Sequence, residues 1–180
     1  MARTKPRTLS SRSCDHLQSC IMRLIVRSSA IHAAGVFTLE RIPKGELVVE
    51  YTGTLMKHDD ADNLYNERPY TYLFGVGDGT HVVDGYSMAM YLNHSCSPNC
   101  ETEEDEDEHV WIRAIRDIEA GEELVYDYFL YDGDGEAPCT CGADKCRGTM
   151  YSPTELKKRK RAAREKASKK PAKKKQAVRK

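Results

Sequence analysis

Four cysteines in two separate segments are the residues best suited to chemistry in this chain. Cys139, Cys141 and Cys146 follow the spacing C-x-C-x-x-x-x-C in a polar stretch that contains glycine. Cys96 lies far upstream, in the segment 93–100 with the sequence NHSCSPNC. Three thiolates close in sequence and a fourth from a distant loop form the donor set of a tetrahedral zinc site. The pattern therefore predicts a structural Zn²⁺ held by these four sulfur atoms.

The remaining cysteines indicate a reducing compartment. The chain has seven cysteines, an odd count, and four belong to one metal-type constellation, which argues against a framework of disulfides. Cys14 and Cys20 are either further ligands or free thiols, and the second reading is favoured for two unaccompanied thiols. Cys100 is expected to be a structural thiol.

A third motif, GEELVYDY at 121–128, lies between the two cysteine segments. Together, NHSCxPNC, GEELxYDY and CxCxxxxC resemble the SET-domain lysine methyltransferases that carry a zinc-binding post-SET segment. The resemblance extends over about residues 21–150 and is closest to small, free-standing, bacterial-type members. It implies a mostly-β SET-domain β-clip fold of several small sheets with knot-like carboxyl-terminal threading. It also implies S-adenosylmethionine as cofactor and lysine side chains as methyl acceptors.

The resemblance assigns the catalytic role to Tyr128, with Tyr126 as a second wall of the lysine channel. Tyr128 would orient the amine and line the methyl-transfer pore, since a phenol with a pKa near 10 is a poor base at neutral pH. Residues i and i+2 of a strand share a face, which suits both two channel walls and two ordinary core aromatics. A hydroxyl at Tyr126 predicts mainly mono- or dimethylation.

The cofactor site implied by the resemblance combines three segments. The segment SAIHAAG at 29–35 corresponds to the family pattern S-x-I-H-G-x-G. The implied cofactor-binding residues are His32, Ala34, Gly35, Tyr72, Asn93 and His94. Ala33 replaces the first glycine of the pattern, which has a cost if that position requires a positive φ. Met90 stands where relatives often have arginine.

Short β-branched runs bounded by turn residues predict strands at 21–26, 46–51, 70–76, 81–84, 110–114 and 124–126. Short helices are expected at 57–66 and 87–92. The expected organisation is a flexible basic arm at 1–20, a SET domain at 21–132, a post-SET zinc segment at 137–150 and a disordered Lys/Arg/Ala-rich tail at 154–180.

No apolar stretch reaches the length of a membrane span, and the amino terminus lacks the apolar core of a secretory signal.

The net charge of zero hides a segregation of charge along the chain. Residues 154–180 contain 14 Lys and Arg against two acids, a net charge of +12, which leaves −12 on the remainder. Seven acids in eight residues at 101–108 predict a solvated loop, either a guide for a basic peptide or a solubilising insertion. An acidic body favours basic substrates, and a basic tail favours phosphates.

The predicted function is methylation of lysines in basic proteins such as histones or histone-like nucleoid proteins, and also in the chain's own tail. Residues 2–5, ARTK, equal the opening of a core histone tail, although a chance match in a basic arm is the simpler account. The alternative is a catalytically weak SET-fold binding module tethered to DNA by residues 154–180. The expected location is the cytoplasm and nucleoid in a bacterium, or the nucleus and chromatin in a eukaryotic cell.

Overall fold

Short strands dominate the computed structural model of the protein, which describes residues 23–68, 72–131 and 135–168. Within these ranges the strands form three small sheets, one of four strands and two of three. Most strands coincide with β-branched runs bounded by turn residues, because such side chains pack well on a pleated, half-buried surface. The predicted mostly-β fold of several small sheets is confirmed.

The first sheet contains the residues of two sequence motifs. Its strands, in spatial order, are β1 (Leu24–Ser28), β2 (Ala34–Thr38), β10 (Glu123–Tyr126) and β7 (Asn93–His94). Strand β10 runs antiparallel to β2 but parallel to β7, with Val125 opposite Asn93 and Tyr126 opposite His94. This parallel pairing seats the GEELVYDY strand beside the NHSC segment, the contact that carboxyl-terminal threading requires.

The other two sheets are antiparallel. One has the order β3 (Leu47–Glu50), β9 (Val110–Ala114) and β8 (Cys100–Glu104), and the other has the order β4 (Gly53–Lys57), β6 (His81–Gly85) and β5 (Leu73–Val76). The prediction of a solvated loop over 101–108 is wrong for the first half of this segment. Residues 101–104 belong to β8 and are hydrogen-bonded to β9. Glu103 forms an ion pair with Arg113 across this pair of strands. The acidic side chains thus stay near the surface while their backbone is hydrogen-bonded.

Helices are few in the described part of the chain. The helix predicted at 57–66 is α1 (His58–Tyr65), whereas the one predicted at 87–92 is a single 3₁₀ turn, Met88–Tyr91. Strands β2, β4 and β7 were not predicted, since the first two contain glycine and β7 has only two residues. No helix within the described residues has the length and apolarity needed to cross a membrane.

Residues 153–168 contradict the prediction that the tail is disordered from 154. They form α2 (Pro153–Ser168), whose first turn is capped by Ser152 Oγ, which accepts the Glu155 N–H at 3.1 Å. The buried Glu155 carboxylate accepts a hydrogen bond from Arg159 Nε at 2.9 Å, and the Arg159 guanidinium lies 3.8 Å from the centre of the Tyr151 ring. Residues 169–180 and the arm at 1–20 lie outside the described residues.

The hydrophobic core supports β10, which ends at Tyr126, two residues before Tyr128. Its largest side chains are at most 1% exposed and include Val36, Leu92, Ile112, Ile118 and Leu124. Leu124 lies on β10 and Val36 on the neighbouring β2, directly opposite it. Burial of such side chains stabilises a fold by roughly 1.5–3 kcal/mol each. The core therefore holds β10 firmly at the point where the candidate site begins.

Candidate active site

The four predicted metal ligands come together although 43 to 50 residues separate Cys96 from two of the others. All four sulfur atoms lie within 4.8 Å of one another. Cys96 Sγ is 3.8 Å from Cys139 Sγ and 3.9 Å from Cys146 Sγ. A tetrahedral zinc ion with Zn–S bonds of about 2.3 Å has sulfur–sulfur edges of about 3.8 Å. The cluster therefore fits Zn²⁺ in both donor type and size.

Backbone amides surround the sulfur atoms. The Cys96 N–H donates to Cys141 Sγ at 3.4 Å, the Arg147 N–H to Cys96 Sγ at 3.3 Å and the Gly148 N–H to Cys146 Sγ at 3.4 Å. Such N–H···S bonds stabilise thiolates and orient them for a metal. The cluster is thus built for deprotonated sulfur.

The pKa values of the cluster differ among its members. Burial raises the pKa of Cys96, and it raises that of Cys139 to about 12. Burial also raises the pKa of Cys141, but hydrogen bonds from the N–H groups of Cys96 and Ala143 outweigh it and lower the pKa to about 6. Cys141 therefore ionises before Cys96 and Cys139, and a bound dication would favour ionisation of those two as well.

His94 connects the cysteine cluster to the predicted catalytic tyrosine. Its Nδ1 accepts the backbone N–H of Tyr128 at 3.1 Å, and its Nε2 lies 3.4 Å from Cys96 Sγ. Because a backbone N–H only donates, Nδ1 carries no proton, and the ring proton sits on Nε2, facing the sulfur atom. Burial lowers the pKa of His94, which keeps the imidazole neutral. The side chain of His94 is thus engaged between Cys96 and Tyr128.

The predicted catalytic pair lies side by side at the end of β10. The rings of Tyr126 and Tyr128 are 4.9 Å apart, and the Tyr128 hydroxyl donates to the Leu92 carbonyl at 2.8 Å. Burial raises the pKa of Tyr128 to about 12 and that of Tyr126 well above its usual value. Both phenols therefore stay neutral at physiological pH. They form an aromatic wall that carries one oriented hydroxyl.

Further tyrosines extend this wall towards the surface. The Tyr51 hydroxyl donates to the Tyr72 carbonyl at 2.8 Å. The Tyr72 ring stands edge-on to the Tyr91 ring at 6.4 Å, and both side chains are more than one-third exposed. Tyr51 and Tyr72 lie close enough to Tyr128 to interact with it electrostatically, so the cluster includes both buried and exposed tyrosines.

The turn between β1 and β2 is tied to the NHSC segment. Asn93 Nδ2 donates to the Ala34 carbonyl at 2.9 Å and to Glu123 Oε1 at 2.7 Å. The Ser29 hydroxyl also donates to the Glu123 carboxylate, at 2.8 Å. A Cβ at Gly35 would lie 2.2 Å from Glu123 Oε1, so a larger residue there would displace this carboxylate from its hydrogen bonds with Asn93 and Ser29. Two of the three segments predicted to bind cofactor are therefore joined directly.

Ala33 lies in the left-handed region, with φ of 27°. The position that is glycine in the family pattern thus does require a positive φ, and an alanine there is strained by about 1–2 kcal/mol. His32 precedes it on the same turn, and its side chain is exposed.

Sequence reasoning missed several residues that organise the site. Asn99 is 2% exposed and its side chain bonds to the backbone of β10 at two points, while Asp127 is paired with Arg147. Each lies within or next to a recognised motif, since Asn99 is part of NHSCSPNC and Asp127 is the centre of YDY. A polar residue in a buried motif must find a partner, and this was the available signal.

Comparisons with known proteins agree with this geometry. A family model described as SET domain matches residues 33–129. Histone-lysine N-methyltransferase TRX1 of Oryza sativa subsp. japonica is 39% identical over 140 residues, which are 71% of this chain and 14% of the relative. The H3 lysine-4 specific histone-lysine N-methyltransferase of Schizosaccharomyces pombe is 38% identical over 135 residues, 68% of this chain and 14% of the relative. Histone-lysine N-methyltransferase 2B of Homo sapiens is 37% identical over 134 residues, 68% of this chain and 5% of the relative. The chain thus spans at most 14% of the length of these three relatives.

Proposed function

The chain belongs to the SET-domain family, and from that premise we propose that it methylates lysine side chains of histones with S-adenosylmethionine as methyl donor. The observation that carries the proposal is the Tyr128 hydroxyl. It is neutral, held by the Leu92 carbonyl at 2.8 Å and flanked by the Tyr126 ring. Methyl transfer to an amine is an in-line displacement, which depends mainly on positioning. A fixed hydroxyl at the end of an aromatic channel supplies such positioning.

The tyrosine wall prepares the amine. A lysine ammonium that enters the channel loses water, and desolvation lowers its pKa towards the neutral form that attacks. Tyr128 does not remove that proton, because burial raises its own pKa to about 12. Its hydroxyl hydrogen is used by the Leu92 carbonyl, so its oxygen lone pairs are free to accept a hydrogen bond from the amine. The proton leaves to solvent along the exposed end of the cluster, near Tyr72 and Tyr91.

S-adenosylmethionine would supply an electrophilic methyl group on a positively charged sulfur atom. His32, Ala34 and Gly35 on the turn, with Asn93, His94 and Tyr72, are the residues we propose to hold it. The Asn93–Ala34 hydrogen bond of 2.9 Å supports this assignment, because it fixes the turn against β7. A preformed pocket binds a cofactor without the entropic cost of ordering its walls.

We propose that Zn²⁺, held by Cys96, Cys139, Cys141 and Cys146, has a structural role. Four protein ligands leave no open coordination position for catalysis. The metal would instead fix the segment after β10 against the NHSC loop. Bound zinc would influence the tyrosine site mainly by way of His94, which lies between Cys96 Sγ and the backbone of Tyr128.

The substrate proposal rests on charge and on the relatives. The S. pombe relative is named as specific for lysine 4 of histone H3. Here the chain outside residues 154–180 carries a net charge of −12, which attracts cationic tails. Histone-like nucleoid proteins and the chain's own residues 154–180 present the same Lys-rich chemistry and are proposed as further substrates. Histone substrates would place the protein at chromatin, and nucleoid substrates at a bacterial nucleoid.

The test is transfer of labelled methyl groups from S-adenosylmethionine to purified core histones by the full chain, with mass spectrometry of the modified lysines. Tyr128→Phe should reduce kcat by about 10²-fold or more, the usual effect of losing one oriented hydrogen-bonding group. Tyr65→Phe is the matched control, because it removes a hydroxyl that donates to Asp84 Oδ2 at 2.6 Å outside the tyrosine wall. Equal activity of the two variants, or no transfer by the wild type, would refute the proposal.

Helix α2 supports a second function, binding of DNA through residues 154–180. Lys157, Lys160 and Arg164 recur at helical spacing on one exposed face. Among the described residues, no ion pair engages any of the three, whereas Arg161 on the same helix pairs with Glu165 at 2.9 Å. Because Glu155 and Arg159 anchor the first turns, this cationic face is held on a folded support and is suited to backbone phosphates.

Duplex binding is measured by fluorescence anisotropy over a range of salt concentrations. Substitution of Lys157, Lys160 and Arg164 by Gln should weaken binding and reduce the slope of log K against log salt by about 0.9 per lost phosphate contact. Lys44→Gln, an exposed lysine outside α2, is the control. An unchanged slope in the triple variant would exclude this face as the site. Histone methylation by the wild type would separately exclude the rival in which the protein only binds DNA.

A further inference from the structure

The carboxylate between the two channel tyrosines is clamped by an arginine from the cysteine segment. Arg147 Nη1 donates to Asp127 Oδ2 at 2.6 Å and Nη2 to Asp127 Oδ1 at 2.8 Å. The Asp127 side chain is 6% exposed and that of Arg147 is 21% exposed. A two-pronged pairing of this kind fixes orientation as well as distance. The clamp connects the tyrosine segment to the cysteine segment, because Asp127 precedes Tyr128 and Arg147 follows Cys146.

Asp127 in turn controls the backbone around Tyr128. Its Oδ1 accepts the N–H of Phe129 at 3.1 Å, and Phe129 has a φ of 46°, in the left-handed region. A non-glycine residue keeps this conformation only where its surroundings impose it. On the other side, the Tyr128 N–H donates to His94 Nδ1 at 3.1 Å. The peptide units before and after the Tyr128 side chain are therefore each held by one acceptor.

Arg147 reaches the metal cluster through its main chain. Its backbone N–H donates to Cys96 Sγ at 3.3 Å while its guanidinium binds Asp127. The guanidinium Nε is buried and has no hydrogen-bond partner among the described residues. An unsatisfied buried donor destabilises a fold, so packing stability alone does not account for an arginine here. An arginine at position 147 is instead explained by its Nη1 and Nη2 atoms, which position the Asp127 carboxylate.

We propose that Arg147 is a positioning residue for methyl transfer, which makes the placement of Tyr128 depend on the ordered cysteine segment. The inference rests on the proposed function for its kinetic consequence. When the cluster is ordered, Arg147 is fixed at Cys96 and holds the Asp127 carboxylate. Asp127 then holds the Phe129 amide, and the turn that follows Tyr128 is set. The Tyr128 hydroxyl thereby stays at its place against Leu92.

The alternative is a purely structural ion pair that fastens the cysteine segment to the domain. The two readings differ in what Arg147→Gln changes when zinc is still bound. If the ion pair is purely structural, Arg147→Gln should lower the zinc content or the free energy of unfolding. A positioning residue would alter kcat and the local order at Tyr128 with metal content and cofactor KM preserved.

The first measurement needs no catalysis. Full-length wild type and Arg147→Gln are loaded with Zn²⁺, their metal content is determined, and amide hydrogen exchange of Tyr128 and Phe129 is compared. We expect one zinc per chain in both proteins and exchange of the Phe129 amide at least about tenfold faster in the variant, because Asp127 Oδ1 accepts its hydrogen bond. The Tyr128 amide is bonded to His94 instead and should change less. Unchanged exchange in zinc-loaded Arg147→Gln would overturn the proposal. Loss of zinc by the variant would overturn it too, because Arg147 would then act on the metal site alone.

The second measurement is kinetic and uses core histones as acceptor. Arg147→Gln should lower kcat by about 10²-fold, the effect of a small misplacement of a catalytic group, with KM for S-adenosylmethionine within about threefold of the wild type. Arg116→Gln is the matched control, because Arg116 makes the same two-pronged contact with Glu122 at the surface. It should leave kcat unchanged. If Arg147→Gln retains wild-type kcat, the proposal fails.

Chemical rescue separates a missing cation from general damage. Guanidinium at millimolar concentration should restore part of the kcat of Arg147→Ala, and urea, which has the same planar shape without the charge, should not. Arg147→Lys keeps the charge but loses the fork, so it should recover less than half of the lost activity. Equal effects of guanidinium and urea would count against the proposal. A wild type that methylates no histone refutes the proposed function, and the exchange measurement still decides the role of Arg147.

Discussion

Replacement of Asn99 by alanine is expected to destabilise β10, the strand that ends at Tyr126. The Asn99 side chain is 2% exposed and bonds to the backbone of β10 at two points. Its Oδ1 accepts the Val125 N–H at 2.8 Å, and its Nδ2 donates to the Glu123 carbonyl at 2.8 Å. Alanine removes both partners and provides no substitute.

The expected size of the effect follows from this geometry. Each buried backbone group left without a partner costs about 1–3 kcal/mol, so Asn99→Ala should lower the free energy of unfolding by about 4 kcal/mol. That is a large share of the roughly 5–15 kcal/mol that stabilises a typical domain. For a chain of this size, about 4 kcal/mol corresponds to a fall in Tm of roughly 8–16 °C.

The assay is urea and thermal unfolding of the zinc-loaded full chain, followed by circular dichroism. Asn63→Ala is the control, because Asn63 Nδ2 donates to the Asp59 carbonyl at 2.8 Å on the exposed side of α1. It should change the free energy of unfolding by less than about 0.5 kcal/mol. Asn99→Asp should also be destabilised at pH 7, since a carboxylate would face the Glu123 carbonyl, and its deficit should shrink towards pH 5 as that carboxyl protonates. A loss below about 1 kcal/mol for Asn99→Ala would refute the reasoning.

Removal of zinc by a chelator should increase proteolysis around Lys145 and abolish methyl transfer while far-ultraviolet circular dichroism changes little; active protein without stoichiometric metal would contradict this. Tyr126→Phe should shift the products towards higher methylation, because loss of the hydroxyl leaves room for a methylated amine to rotate; mass spectra of wild-type products that already show mostly trimethyl-lysine would exclude it. Alkaline pH should destabilise the fold, since burial raises the pKa of Tyr128 to about 12. The stabilisation from this raised pKa is complete below the unfolded value of about 10 and is lost as pH rises to about 12, at up to about 1.4 kcal/mol per pH unit. Tyr128→Phe should show a correspondingly weaker dependence of the urea midpoint between pH 10 and 12, and an identical dependence in both proteins would argue against burial of this hydroxyl.

The local sequence determined much of what the site contains. Short apolar and β-branched runs bounded by turn residues predicted β3, β6, β9 and β10, because strand formation depends on short-range pattern. The spacing of Cys139, Cys141 and Cys146 selected a metal-type cluster, and the structure brings Cys96 to it as predicted. The cost expected at Ala33 was also readable from the chain, since only a glycine position adopts a positive φ without strain.

Two predictions relied on the average composition of a segment and were overturned by specific contacts. Ser152 and Glu155 form the S-x-x-E pattern of a capped helix, yet the Lys/Arg/Ala-rich composition favoured disorder and hid α2. The acidic run at 101–108 likewise predicted a loop, although a partner strand with Arg113 accommodates its first half as β8. Average charge determines how well a segment is solvated, whereas a helix cap or a cross-strand partner determines whether its backbone forms a helix or a strand.

Only the tertiary structure decided which polar side chains meet. Asn93 reaches the Ala34 carbonyl 59 residues away, and Asp127 meets Arg147 across 20 residues. Such pairs depend on the parallel seating of β10 beside β7 and on the path that returns the chain to Cys96. No local pattern encodes that path, because side-chain period and turn propensity act over a few residues. The sequence therefore indicated which groups could carry chemistry, and the long-range packing of strands and loops determined how each one is held.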